Sequence, residues 1–141
     1  MRRNLTPADL GDLLERPLLA TLATRRIDDS ILLSPIWHEW RDGAFLIAVE
    51  NGDGKLRHMA RDPRVTIVVA EAELPYRGLE IRATAEIVDL PYGATMRRIG
   101  RRYIGAEADE TWAEDDDSGV VVRIGPGALR AWDFADDYPS S

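Results

Sequence analysis

Residues 18–50, LLATLATRRIDDSILLSPIWHEWRDGAFLIAVE, decide the fold class of this chain. They contain three runs rich in strand-forming residues, at 18–25, 31–40 and 44–50. A polar turn at 27–30 separates the first two runs, and Arg41-Asp42-Gly43 is a hairpin signal before the third. Pro35 inside the second run predicts a bulge or an edge position, because proline has no N–H to donate to a central ladder. The stretch therefore predicts consecutive strands joined by short turns.

The rest of the chain continues this pattern with few helices. Further strands are predicted at 65–73, 76–89, 119–124 and 128–134. Helices are predicted at 7–16, after a Thr6-Pro7 start, at 54–61, and from Pro91 to about Tyr103. The acidic segment 105–119 predicts a helix followed by a solvated loop. Six or seven strands with brief helices indicate a mainly β protein, a closed or half-closed β-barrel, in one domain spanning residues 1–141.

Composition excludes several classes of function. The 141 residues are 45% apolar and 30% charged, and the net charge of −7 argues against nonspecific binding to nucleic acid or anionic membranes. The absence of cysteine excludes disulfides, thiolate metal sites and thiol nucleophiles. No stretch has the roughly 20 apolar residues that a membrane span needs, and no apolar signal core is visible near the N-terminus. We therefore expect a cytoplasmic protein.

Familiar catalytic motifs are missing. No glycine fingerprint for a dinucleotide or a Walker-type loop is present, and no serine lies in a nucleophile-elbow context. His38 and His58 lie in different elements, so a structural or surface role is favoured for both. Residues 115–117, three aspartates, are typical of a solvated loop rather than a metal site. The arginine cluster of residues 97–102 is compatible with a solvated helix face, with pairing to the acidic segment, or with an anionic ligand.

The stretch from residue 51 to residue 65, NGDGKLRHMARDPRV, holds the only lysine of the chain, Lys55. A strand runs into Gly52 and Gly54, and the following helix carries Lys55 and Arg57 in its first turns. Free backbone N–H groups together with two cations could hold a phosphate. The alternative is an ordinary glycine-rich turn with a surface lysine, which spacing alone slightly favours.

Several short motifs, taken in order, carry a family resemblance. They are TLAT at 21–24, SPIW at 34–37, GDGK at 52–55, DPRV at 62–65 and RAWDF at 130–134. Together they resemble the split β-barrel flavin and deazaflavin oxidoreductases, the pyridoxamine 5′-phosphate oxidase-like superfamily. Their order is most similar to the branch that uses the deazaflavin coenzyme F-420.

The resemblance implies a six-stranded antiparallel split barrel of Greek-key type, the FMN-binding split barrel. It also implies a homodimer with a cofactor groove at the interface. It places Ser34, Pro35 and Trp37 beside the cofactor ring, and Lys55 at the cofactor phosphate, helped by the backbone of Gly52 and Gly54; Arg57 is a weaker phosphate candidate.

This sequence departs from the family pattern before the lysine. Family members commonly carry a hydroxyl- and arginine-bearing run there, whereas this chain reads VENGDGK at 49–55 and has Asp53 where phosphate is expected.

Two kinds of function follow from the resemblance. The first is an F-420-dependent oxidoreductase that transfers hydride to an unsaturated small molecule, with FMN as the alternative cofactor. The second is a non-catalytic split-barrel binding protein with a degraded phosphate site. No metal is expected, and the sequence assigns no catalytic residue.

Overall fold

The computed structural model describes residues 1–138 as a curled antiparallel sheet with three short α-helices. The strands are β1 (Ala20–Arg25), β2 (Ile31–Ile36), β3 (Glu39–Arg41), β4 (Ala44–Glu50), β5 (Arg64–Ala70), β6 (Gly78–Val88), β7 (Gly119–Ile124) and β8 (Ala128–Trp132). The helices are α1 (Gly54–Arg61), α2 (Tyr92–Ile104) and α3 (Glu107–Thr111), with a 3-10 helix at Pro7–Leu10. The predicted mainly β half-barrel is confirmed.

Strand β6 joins the two halves of the sheet. The strand order is β2-β1-β5-β6-β7-β4-β3, and β8 pairs with β6 beside this path. The first part of β6 pairs with β5 and β8, with Ile81 opposite both Ile67 and Leu129. Its last four residues pair instead with β7, with Ala85 opposite Ile124. Strand β6 therefore pairs with β5 and β8 along its first part and with β7 along its end. This change of partners along one strand lets the sheet curl.

The core fills the inside of this curl. Side chains alternate along the strands, and β1 and β5 bury every second residue. The buried apolar cluster draws on the N-terminal segment, on six strands that line the curl and on α1; its largest members include Phe45, Leu22, Ile47, Ile67, Leu79 and Ile124. Period-2 burial of β-branched and aromatic residues is the expected pattern for a sheet with one face on the core.

The run predicted as one strand at 31–40 is two strands, and this prediction was wrong. It breaks at Trp37 and His38, which leave the sheet. The Tyr103 hydroxyl accepts the His38 N–H at 3.1 Å, and the Arg102 guanidinium donates to the His38 carbonyl. Side chains of α2 therefore replace the ladder partners that these backbone groups would have in a strand. Pro35 lies on β2, an edge strand, as predicted.

The helix predicted at 7–16 is also wrong in length. Only Pro7–Leu10 is helical, as a 3-10 turn, and Gly11 follows at φ +62°. The Leu10 carbonyl accepts from Arg77 at 2.6 Å, where a continuing α-helix would use it for the residue four positions later. An arginine distant in sequence thus helps to end this helix. The predicted bounds of α1 are confirmed, and Pro91 caps α2 as expected.

No helix in the described part of the chain is both long and apolar enough to cross a membrane.

Candidate functional site

A cavity of about 160 Å³ lies between the end of β2, strand β4, the first turn of α1 and helix α2. Its walls are Ile36, Trp37, Ile47, Ala48, Val49, Lys55, Met96 and Ile99. The cavity brings together two predicted site residues, Trp37 and Lys55. Its walls are otherwise apolar, and a mostly apolar pocket with one placed polar group is typical of ligand sites.

Other depressions are larger but contain none of the predicted site residues. One of about 480 Å³ surrounds the β3–β4 turn, and one of about 380 Å³ lies on the outer face of β1, β5 and β6 beside Arg25, Arg64 and Arg82. Size alone would favour these positions. We centre the site on the smaller cavity because aromatic, apolar and cationic groups converge there.

Trp37 is held in place by aromatic contacts from α2 and from the acidic segment. Its ring stacks on Tyr103 with centroids 4.8 Å apart and planes 3° apart. Trp112 meets it edge-on at 6.0 Å. The Tyr103 hydroxyl is itself fixed, since it donates to the Leu18 carbonyl at 2.8 Å. Trp37 is therefore a rigid wall of the cavity, with one ring face already covered by Tyr103.

Lys55 lies in the first turn of α1, next to the carboxylate that caps the same helix. Asp53 is the N-cap, and its Oδ1 accepts the Lys55 backbone N–H at 3.0 Å. Its Oδ2 accepts the Lys55 ammonium. Burial raises the pKa of Asp53, but the hydrogen bonds and charge of Lys55 outweigh burial and hold that pKa below its usual range. The ammonium that could hold a phosphate is thus already paired with a carboxylate.

The glycines of this turn leave space in front of the helix start. A Cβ added at Gly52 would meet no atom within 4 Å, and one added at Gly54 would meet only the Arg57 guanidinium at 3.6 Å. Arg57 is exposed, and this contact places its guanidinium near the helix start. The open backbone suits the approach of an anionic group.

Ser34 and Pro35 do not line the cavity. Side chains alternate along β2, so Ser34 faces inward, opposite Leu22 in the β1–β2 register. Pro35 faces outward with Leu33. Within one chain the structure therefore unites Trp37, Lys55, Gly52 and Gly54, while Pro35 lies on the outer face of the edge strand.

Both histidines and the arginine cluster lie outside the cavity walls. His38 is fully buried, and its Nε2–H donates to the Leu18 carbonyl at 3.1 Å. The arginines of the cluster bind protein groups: Arg97 the Trp112 and Asp109 carbonyls, Arg98 the Glu39 carboxylate, Arg101 the Asp109 carboxylate, and Arg102 the carbonyls of His38, Leu14 and Arg16. These contacts give the cluster a structural role.

The sequence interpretation missed the α2 contribution to the cavity. Met96 and Ile99 are three residues apart and face the cavity from one side of the helix. Their spacing within MRRIGRRY is typical of one apolar side of a helix, but the four arginines of the same stretch mask this signal. The stacking of Tyr103 on Trp37 had no local signal, because 66 positions separate the two residues.

Within residues 1–138, no group of three or more acidic or histidine side chains is arranged to hold a metal ion.

Comparison with known proteins identifies related chains. The sequence profile of the pyridoxamine 5′-phosphate oxidase family matches residues 7–133. A comparison with curated proteins finds no match.

Several solved structures share the fold over most of the chain. A conserved hypothetical protein from Mycobacterium tuberculosis has a TM-score of 0.76 and 25% identity, covering 97% of this chain and 91% of that one. An F-420 reductase has a TM-score of 0.70 and 30% identity, covering 84% of this chain and 93% of that one. A FAD- and haem-binding protein from Mycobacterium smegmatis, at 19% identity and a TM-score of 0.71, covers 93% of this chain and 72% of that one, and shares the fold alone.

Proposed function

Because this chain belongs to the pyridoxamine 5′-phosphate oxidase family of the split-barrel flavin and deazaflavin superfamily, we propose that it is an F-420-dependent oxidoreductase. Its substrate is an unsaturated small molecule such as an enone, a quinone or a tetrapyrrole-like compound. The observation that carries the proposal is the shared cavity of Trp37 and Lys55, which sets a planar aromatic wall beside a cation at an open glycine turn. The 30% identity to an F-420 reductase supports deazaflavin over flavin.

The residues present fit a flavin-type ring joined to one anionic group. Apolar walls and Trp37 suit a planar ring, and Lys55 with the open backbone of Gly52 and Gly54 suits a phosphate. When bound, the coenzyme supplies hydride chemistry. The protein's own contribution is to orient the ring against Trp37, to hold the phosphate at Lys55 and to exclude water with Ile47, Val49 and other apolar walls.

The size of the cavity supports a second subunit in the site. About 160 Å³ is below the roughly 300–1,000 Å³ of ordinary ligand pockets, so one chain does not enclose a tricyclic ring. Leu33 and Ile31 are 64% and 45% exposed on the edge strand that leads to the cavity. We propose that a second copy of the chain covers this strand and completes the groove, which brings Pro35 to the site from the interface.

The proposed reaction needs no general acid from the protein. Among the residues that line the cavity, Lys55 is the ionisable one, and its ammonium is engaged by Asp53. Solvent at the open side of the cavity can protonate the product. We therefore assign no general acid. Separately, we propose that the reaction takes place in the cytoplasm.

The Asp53–Lys55 contact favours a second candidate, a split barrel that binds a ring without catalysing a reaction. A phosphate that approaches Lys55 has to compete with a carboxylate already in place. FMN as a cofactor is the nearer variant of the first proposal, since it has a similar ring and a terminal phosphate.

Titration of the purified protein separates these candidates. Intrinsic tryptophan fluorescence is followed while F-420, FMN or haem is added, because Trp37 lies in the cavity wall. We expect saturable quenching by F-420. Lys55→Ala should raise the Kd for F-420 by about 10- to 150-fold, the effect of one charge-assisted hydrogen bond. Arg41→Ala, which removes an exposed cation at the end of β3, is the matched control and should leave the Kd unchanged.

Two results would overturn the enzyme proposal or its phosphate contact. Quenching by haem alone, with none by F-420 or FMN, favours the non-catalytic binding protein. Equal affinity of wild type and Lys55→Ala for F-420 shows that Lys55 does not hold the phosphate.

A further inference from the structure

We propose that Asp53 selects the charge of the bound phosphate, so that the site accepts a phosphate diester and rejects a phosphate monoester. In F-420 the phosphate is a diester and has one negative charge. In FMN it is a terminal monoester with a charge of about −1.5 to −2 at neutral pH, as for other phosphate monoesters. The inference rests on the proposed function and deepens it, because it explains why a deazaflavin with a diester would be chosen over FMN.

The geometry at the start of α1 places a carboxylate on both donors of Lys55. Asp53 accepts the Lys55 backbone N–H through Oδ1 and the Lys55 ammonium through Oδ2. These two donors are the ones a phosphate would use at this helix terminus. An arriving phosphate therefore meets a donor set that already has a negative partner.

The local charges disfavour a second negative charge on the phosphate. Lys55 and Asp53 sum to zero, and their side chains are only 16% and 34% exposed, so solvent screens the pair incompletely. Arg57 adds one positive charge near the helix start, where its guanidinium lies against Gly54. Glu50, at the end of β4, adds a negative charge close to the same turn. These four charges sum to zero, so no net positive charge remains to offset the second charge of a dianion, which meets more repulsion from Asp53 than a singly charged diester does.

A purely structural role for Asp53 makes a different prediction. As the N-cap, Asp53 stabilises α1, and asparagine caps a helix as well as aspartate does. Asp53→Asn therefore keeps the cap and removes the charge. If Asp53 only caps the helix, this substitution leaves ligand choice unchanged.

The test uses three probes with the same deazaflavin ring: the ribityl compound without phosphate, its 5′-phosphate monoester, and the methyl diester of that phosphate. Their affinities are measured by tryptophan quenching for wild type, Asp53→Asn and a control, Asp42→Asn. Asp42 lies in the turn at the opposite end of β4, has φ +52°, which asparagine tolerates, and gives the same change in net charge.

In wild type we expect the diester to bind at least about tenfold more tightly than the monoester, from the repulsion of one unit charge at contact distance. In Asp53→Asn this ratio should fall below about threefold, mainly because the monoester binds more tightly. In Asp42→Asn the ratio should equal that of wild type.

An unchanged ratio in Asp53→Asn overturns the selection by charge and leaves the proposed function standing. Failure of all three probes to bind wild type and both variants overturns the proposed function, and the inference fails with it. Thermal unfolding of each variant confirms that the comparison is made between folded proteins.

Discussion

At the scale of single residues, the candidate site has one cation in its wall, Lys55, and the Asp53 carboxylate already pairs with it. Lys55 was singled out from the sequence because it is the only lysine, and the structure places it in a cavity wall. Asp53, two positions earlier, was visible in the sequence as a negative charge in the same turn. Its contact with Lys55 is local, so sequence could suggest it. The aromatic contacts of Trp37 are not local, and sequence could not suggest them.

His38 predicts a pH dependence of stability. Burial, and then the nearby Arg102 guanidinium, lower the pKa of His38 from 6.5 to about 4. Nε2–H donates to Leu18, so a second proton would go on Nδ1, which is buried and has no partner among the described residues. The unfolded chain therefore binds the proton more readily between pH 6.5 and 4, and stability falls as pH falls through that window. We expect this residue to account for a loss of about 2 kcal/mol between pH 7.5 and pH 5.

Urea unfolding of wild type and His38→Gln at both pH values measures this contribution. Glutamine can donate to the Leu18 carbonyl and does not titrate, so its variant should lose about 2 kcal/mol less than wild type over the same pH change. An equal loss in both proteins would show that His38 is protonated as easily when folded as when unfolded.

At the scale of elements, side chains of α2 supply the hydrogen-bond partners of the backbone between β2 and β3. Sequence predicted α2 and β4 well, because helix capping and strand alternation are local signals. It missed the break at Trp37 and His38, because the groups that satisfy the backbone there come from Arg102 and Tyr103, more than 60 positions away. The run stays rich in strand-forming residues on both sides of the break, and the only local signal is that strict apolar–polar alternation is lost at residues 36–39.

Substitution of Arg102 should therefore lower the stability of the protein more than substitution of the exposed Arg101 in the same cluster. Its guanidinium donates to the carbonyls of His38, Leu14 and Arg16, and a lysine cannot reach three carbonyls with that planar geometry. We expect Arg102→Lys to lower the free energy of unfolding by about 1–3 kcal/mol, because buried carbonyls lose their donors.

Arg101→Lys is the matched control for this measurement. Arg101 is exposed and pairs with the half-exposed Asp109, a contact worth about 0–1 kcal/mol. Urea denaturation should therefore show a clear loss for Arg102→Lys alone. A similar small effect of both substitutions would mean that α2 does not hold the strand break.

At the scale of the whole molecule, the half-barrel could be predicted from the sequence, but the pairing of its strands could not. Alternating runs and turn signals predicted where most strands lie and indicated a mainly β protein. They did not show that β6 pairs with β5, β7 and β8, because the partner of a strand depends on contacts between distant residues. The candidate cavity depends on this strand pairing, because β2, β4, α1 and α2 are distant in sequence and come together only in the folded chain.

The proposed dimer predicts a change in mass when the edge strand is charged. Leu33 is an exposed apolar residue on β2, and an exposed apolar edge strand is normally covered or charged. We expect light scattering after size exclusion to give twice the chain mass for wild type and the single-chain mass for Leu33→Lys. Ile27→Lys, at the tip of the β1–β2 turn, is the matched control and should remain dimeric. A single-chain mass for wild type at micromolar concentration would contradict the proposal that a second subunit completes the site.

A crystal structure of the wild-type protein with F-420 at saturating concentration would locate both the ring and the phosphate of the coenzyme. We expect the deazaflavin ring in the cavity beside Trp37, and a phosphate oxygen about 2.7–2.9 Å from the Lys55 ammonium, as in other charge-assisted hydrogen bonds. A coenzyme whose phosphate lies away from residues 52–55, or whose ring lies outside this cavity, would contradict this expectation.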